Sequence, residues 1–233
     1  EACMKFRLIL SVDARNIDAR LGLGEGSLSE GDYTAARAHF EAVLASASDN
    51  PIAHQGLGLA FLLGGDFAAA EPSLRSAVEH DPTLWRSWNG LAIIADERAD
   101  WEAADAAFAS AIAAAPQQAN VHNNIGMSLM QRGEPARAVE AFDAALRFDP
   151  ALSTAAHNRR IALALDGQYE AALAGASERE LPAALNNVAV AAARRGDRAV
   201  ADRLFAAAIT ASPRYYELAV RNRQTVAAGG SVR

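Results

Sequence analysis

The sequence predicts an all-α fold: an α-solenoid of about six helix–turn–helix repeats with a C-terminal cap helix. Three observations predict it. Pro82, Pro116 and Pro150 recur every 34 residues, and Ala70, Ala104, Ala138 and Ala172 keep the same interval. Large apolar positions follow in the same frame, Leu57, Leu91 and Ile125 in one series and Leu74, Phe108 and Phe142 in another. Gly65, Gly133 and Gly167 mark one turn position, with Ala99 in the corresponding place. Interleaved series at a single spacing are the signature of stacked units, because a lone helical hairpin cannot bury its apolar faces. Composition agrees. Hydrophobic residues make up 51% of the 233 but aromatics only 6%, so the apolar content is mostly alanine and leucine, which favour helix.

Residues 119–150 show the unit at its most regular. The spacing predicts a first helix over 119–131, broken at Gly133, and a second over 135–148. Pro135 suits a first-turn position and Asp149-Pro150 stops the second helix. Small residues sit where helices must approach (Gly126, Ala138, Ala145), and Ile125, Leu129, Val139, Phe142 and Leu146 fill the space between.

Taken in order, residues 1–16 read as a lead-in to the first helix or as added sequence. Residues 17–50 form a looser unit, with Leu23-Gly24, Gly31-Asp32-Tyr33, Ala36 and Phe40 in place and an exit that runs late to Pro51. Residues 51–84 form a unit with Pro72 inside its second helix, which predicts a kink or a delayed start. Units 85–118 and 119–152 are regular. Unit 153–181 is short, its second helix ending early in GASERELP. Unit 182–215 restores the pattern through Val188-Ala189, Gly196-Asp197, Ala201, Phe205, Ala208 and Pro213. Residues 216–227 read as a solvating cap helix and 228–233 as a frayed tail. All of 1–233 is thus expected to be one solenoid.

The combination of apolar-small pairs (Leu57-Gly58, Leu91-Ala92, Ile125-Gly126), turn, paired alanines and terminal proline resembles the tetratricopeptide (TPR) repeat family over nearly the whole chain.

Little points to chemistry. His54 and His122 occupy equivalent repeat positions, where Trp88 fills the third unit, and no metal-ligand spacing accompanies them. Gly56-Leu57-Gly58 and Gly64-Gly65 lack the Gly-Lys-Ser/Thr of a phosphate loop. The reading is a non-enzyme with no catalytic residue, metal or cofactor. The net charge of −6 argues against nucleic acid. It is uneven: residues 1–177 hold 13 basic and 23 acidic residues (net −10) and residues 178–233 hold 9 and 5 (net +4). No apolar run reaches the ~18–20 residues of a membrane helix.

Binding is better supported. At the fifth position of successive first helices stand Gln55, Asn89, Asn123, His157 and Asn186, and at the sixth Asn124, Asn158 and Asn187. Asparagine is a mediocre helix former, so its recurrence is informative. Its amide donates and accepts, which suits the backbone of a peptide held in the concave groove that TPR stacking implies. A second use stays open, bonds between neighbouring helices. Leu59, Leu62, Leu63, Ile93, Met127, Met130 and Ile161 lie one and two turns along as a candidate apolar floor, although core packing is the stronger reading for this set. Arg86, Asp96, Glu97, Arg194 and Arg221 are candidates to bias ligand charge. The paired lysines of a carboxylate clamp are missing.

The C-terminal third carries a narrower resemblance. The truncated unit HNRRIALALDGQYEAALAGASERELP leads into LNNVAVAAARRGDRAVADRLFAAAITASPRYYELAVRN. Together they are similar to the TadD family, TPR lipoproteins of bacterial tight-adherence (Flp) pilus systems. That resemblance implies a pilotin at the periplasmic face of the outer membrane, assisting a secretin and binding a segment of it, foremost its C-terminal tail. It also implies a lipid anchor, for which Cys3, the sole cysteine, is the candidate, with no transmembrane helix. The alternative is a generic TPR scaffold or chaperone adaptor, cytoplasmic, with another peptide partner.

Overall fold

Glycine-aspartate turns and asparagine caps set the helix boundaries. The computed structural model describes residues 2–212 and 216–230. Among them fourteen helices follow one another with no strand: α1 (Ala2–Val12), α2 (Ile17–Glu30), α3 (Tyr33–Leu44), α4 (Pro51–Leu63), α5 (Phe67–His80), α6 (Trp85–Glu97), α7 (Trp101–Ala114), α8 (Ala119–Gln131), α9 (Pro135–Phe148), α10 (Ser153–Asp166), α11 (Tyr169–Leu173), α12 (Leu181–Arg195), α13 (Arg198–Ala211) and α14 (Tyr216–Ala227). Asp32, Asp66 and Asp100, 34 residues apart, each accept from the backbone N–H three residues on, at 3.0, 3.0 and 3.2 Å. Asn16 and Asn50 cap α2 and α4 in the same way at 2.9 Å. Each such cap stabilises its helix by about 1 kcal/mol. Just before the aspartates, Gly31 and Gly65 adopt φ of 77° and 81°, and Ala99 is forced to 55°.

The chain forms two compact units, residues 1–121 and 122–233. In the first, α2/α3, α4/α5 and α6/α7 pair as hairpins. Phe40, fully buried, lies over Gly24 and Gly56, where an added Cβ would come within 2.6 and 2.2 Å of its ring. Leu74 makes the same close approach to Gly58 and Gly90. In the second unit Phe142 fills the space above Gly126, and Leu129, Val139, Leu163 and Val188 surround it. Phe205 anchors a further cluster with Leu185, Ala189 and Ala219. The small residues are therefore the floor on which each large residue rests.

Three expectations shift, and a fourth falls outside the described residues. Residues 2–12 are a helix of their own: α1 packs on α2, with the Phe6 ring against Gly22. Pro51 does not close the first repeat but stands at the first turn of α4 behind the Asn50 cap. Pro72 does not delay α5, which starts at Phe67 as its counterpart α7 starts at Trp101. Residue 72 is exposed, so the carbonyl it leaves unbonded can meet water. Finally, Pro213 lies outside the described residues, as do Arg214 and Tyr215. The fifth pair is short as expected: α11 has five residues, and the chain then turns through Gly175 at φ 73°.

Candidate functional site

The first helices of the second unit, α8, α10, α12 and α14, carry a motif that occurs twice. In α8, Asn123 donates through Nδ2 to Asn124 Oδ1 (3.4 Å) and accepts at Oδ1 from Asn158 of α10 (3.1 Å). In α12, Asn186 donates to Asn187 Oδ1 (3.4 Å) and accepts from Asn222 of α14 (3.0 Å). The residue after each donor asparagine completes the clasp. Arg159 reaches Asp143 of α9, and Arg223 reaches Asp202 of α13 with two bonds of 2.5 and 2.8 Å. The Arg223 bonds hold the Asp202 carboxyl below the usual carboxylate range. Each clasp therefore ties a first helix to the next first helix and ties that one to the second helix between them.

Beside the second clasp lies an open recess of about 360 Å³. Ile161 and Leu165 of α10, Val190 of α12 and Leu218 of α14 supply its apolar floor, and Asn187 and Asn222 supply its amide rim, with Arg194 at one end. Asn187 is exposed, and its Oδ1 accepts from Asn186 Nδ2 at 3.4 Å. An apolar floor with a few placed amides is the arrangement expected of a peptide site.

The sequence-predicted site residues divide by burial. Met127, His157 and Asn187 are exposed, and Asn89, Ile93, Asn123, Asn124, Met130 and Asn158 are half-buried. Gln55, Leu59, Leu62 and Asn186 are buried. Gln55 faces α6, where its Oε1 accepts from Ser87 Oγ at 3.3 Å. Leu62 lies against Gly90. In the first unit Arg86 of α6 also reaches Glu25 of α2, 3.1 Å to each carboxylate oxygen, passing α4, which contacts both helices. Gln55, Leu62 and Asn186 thus touch neighbouring helices, the second use the sequence left open, and Asn186 also lines the recess. Cys3 is half-buried on the inner side of α1, where an added Cβ on Gly26 would lie 2.8 Å from its Sγ. His54 and His122 pack against rings, His54 on His80 and His122 on Phe148.

Sequence reasoning missed Leu165, Val190, Leu218 and Asn222. The signal for Asn222 was present, since Asn-Arg recurs at 158–159 and 222–223, each following an Asn-Asn pair. The shortened fifth repeat throws the second copy out of the 34-residue frame and hides it. No group of three or more His, Cys, Asp or Glu among the described residues is placed to hold a metal ion, and no helix of the described residues is long and apolar enough to cross a membrane.

This architecture is that of a helical-repeat interaction scaffold. The chain belongs to the tetratricopeptide repeat family, whose profile matches residues 18–84 and 89–153. No curated protein sequence matches it. Among solved structures it is similar to Pseudomonas aeruginosa PilF, with 22% identity over 88% of this chain and 97% of that one, and a TM-score of 0.64. It is also similar to PilW, a type IV pilus biogenesis factor (24% identity, 76% and 88% covered, TM-score 0.53). A third is YrrB, a TPR protein with an unusual peptide-binding site (17%, 84% and 95%, 0.53). At these identities the likeness shows the fold. TPR scaffolds are in general protein-interaction modules that bind peptide partners.

Proposed function

We propose that this protein is an assembly factor of a bacterial tight-adherence pilus, a pilotin that captures a segment of the outer-membrane secretin. The segment is the secretin's C-terminal tail, and it lies in the recess of α10, α12 and α14. The observation that carries the reading is that recess, where exposed Asn187 stands beside an apolar floor that includes half-exposed Leu218. Met127, Met130, Asn124 and His157, on α8 and α10, extend the contact surface in this reading, the methionines adapting to irregular side chains. The TadD-like sequence of residues 157–222 supports the choice of partner, and the fold shared with PilF and PilW is compatible with it. The protein works at the periplasmic face of the outer membrane, with Cys3 as the lipid attachment that the resemblance implies.

The test is binding of a synthetic secretin tail by calorimetry, with Asn187→Ala and Leu218→Ser beside the parent chain. The proposal expects a complex that each variant weakens by about tenfold, with far-ultraviolet circular dichroism at parental values. If no complex forms, and a deletion strain assembles normal pili, the proposal falls.

A further inference from the structure

Arg160 of α10 is half-buried, and among the described residues no hydrogen bond or ion pair holds it. Its neighbour Arg159 is paired with Asp143, as Arg223 is with Asp202 and Arg86 with Glu25. Arg160 instead lines a second recess of about 660 Å³, bounded by α10, the 177–180 loop, the start of α12 and the end of α13. That loop follows the five-residue α11, so the shortened repeat supplies one wall.

The two recesses meet at Asn187, which lines both. Together they follow α12 from Ala183 to Arg194. Eleven steps along a helix span ~16 Å, the length of about five extended residues. Toward Arg194 the floor is apolar, made by Ile161, Leu165, Val190 and Leu218. Toward Ala183 the walls are polar, with Arg160, His157 and Arg179 beside Glu178 and Glu180. The Glu180 carboxylate is already engaged: its Oε2 accepts from the Ser177 N–H at 3.2 Å and from the Ser177 hydroxyl at 2.9 Å. Those two bonds are the main reason it lies below the usual carboxylate range, and the Arg160 charge adds less. Glu178 and Arg179, adjacent and exposed on the loop, sum to no net charge. Arg160 is therefore the cation of this recess that no acid answers directly. A half-buried guanidinium has lost part of its hydration, and a carboxylate meets its planar fork with two parallel bonds.

We propose that the segment held along α12 is an apolar stretch with a carboxylate at one end, its aliphatic side chains on Ile161, Leu165, Val190 and Leu218 and its carboxylate on Arg160. This rests on the recess being a peptide site and names the chemistry that site selects. An aspartate or glutamate side chain and a free chain terminus both supply the group.

A pool of random synthetic heptapeptides, made once with free and once with amidated C-termini, tests it without presuming the secretin. The pool is affinity-selected on the full chain and on Arg160→Gln and read by mass spectrometry. The parent chain should enrich peptides that carry two or more aliphatic residues beside a carboxylate. Enrichment of aspartate or glutamate in the amidated pool assigns a side chain, and enrichment confined to the free-acid pool assigns the terminus. Arg160→Gln should keep the aliphatic preference and lose the acidic one. In calorimetry on an enriched peptide, replacing its carboxylate by an amide should weaken binding about tenfold, Arg160→Gln by a similar factor, and both together by no more than either alone. Arg160→Lys should recover part of the loss, and circular dichroism of both variants should match the parent. Enrichment without an acidic preference, or an acidic preference that survives in Arg160→Gln, overturns the proposal and leaves secretin capture standing. Acidic peptides that bind while the secretin tail does not support it and remove the secretin alone. No enrichment of any peptide overturns both.

Discussion

Asn158 donates from Nδ2 to Asn123 Oδ1 at 3.1 Å, and this bond joins the first helices of two successive hairpins. An amide that reads as a ligand contact in sequence is thereby committed to a neighbour. Asn222 and Asn186 repeat the relationship at 3.0 Å. Asn123 and Asn186 of the fifth position each accept from the next first helix, and Asn187, next in sequence to Asn186, lines the recess.

Asn158→Ala removes a part-buried hydrogen bond and leaves Asn123 Oδ1 without this donor. The expected loss is about 1 kcal/mol, read as a lower urea midpoint at unchanged slope. The pair Asn123→Ala and Asn158→Ala should be non-additive in a double-mutant cycle, by about 0.5–1.5 kcal/mol. Additive losses would show that the two amides do not act on each other in solution.

Gly126→Ala places a Cβ 2.5 Å from the Phe142 ring, which is fully buried and has no free direction to move. Overpacking of this kind costs about 1–3 kcal/mol. Trimming the ring with Phe142→Leu in the same chain should restore part of that loss, so the double variant melts above the sum of the singles. Ala138→Leu, at another fully buried position in this cluster, should destabilise to a similar extent.

Ala99 is the described non-glycine residue with positive φ, at 55°, and it is exposed. Left-handed backbone costs a residue with a Cβ about 1–2 kcal/mol, partly offset in glycine by its freer unfolded chain. Ala99→Gly should therefore raise stability by roughly 0.5–1 kcal/mol, measured by thermal melting. The same exchange in reverse at Gly133, φ 76°, should lower it.

Tyr169 of α11 donates its hydroxyl to Asp197 at the start of α13. Burial and then this bond push the Tyr169 phenol above its usual range. The Tyr169 bond, followed by Arg195, holds Asp197 below the usual carboxylate range. A carboxylate depressed by folding stabilises above its unfolded pKa, and that contribution fades as pH falls through the folded value. A phenol raised by folding stabilises below its unfolded pKa, and its contribution fades as pH rises through the folded value. The bond is thus strongest between about pH 4 and pH 10 and is lost at both ends. Tyr169→Phe should flatten the alkaline limb of a stability–pH profile, and Asp197→Asn the acid limb.

Much of this molecule is legible in its sequence because helix formation and termination are local. The 34-residue interval, the left-handed turns at Gly31, Gly65 and Gly133, and the apolar-small pairs determine where helices start, stop and approach. For residues 119–150 the expected bounds are the observed ones. The small residues under Phe40, Leu74 and Phe142 follow from the same logic, since a large side chain at one position needs a glycine opposite. The use of the polar residues was decided by tertiary structure. Gln55 and Asn186 share a repeat position with Asn89 and Asn123, yet they are buried and the others half-exposed. The partner also differs by position, Ser87 for Gln55 but an asparagine of the next first helix for Asn123 and Asn186, and no property of one helix contains that choice. The same holds for α1: its sequence shows a short apolar run, and only its packing on α2 determines that Phe6 turns inward while Met4, Leu8 and Val12 face out.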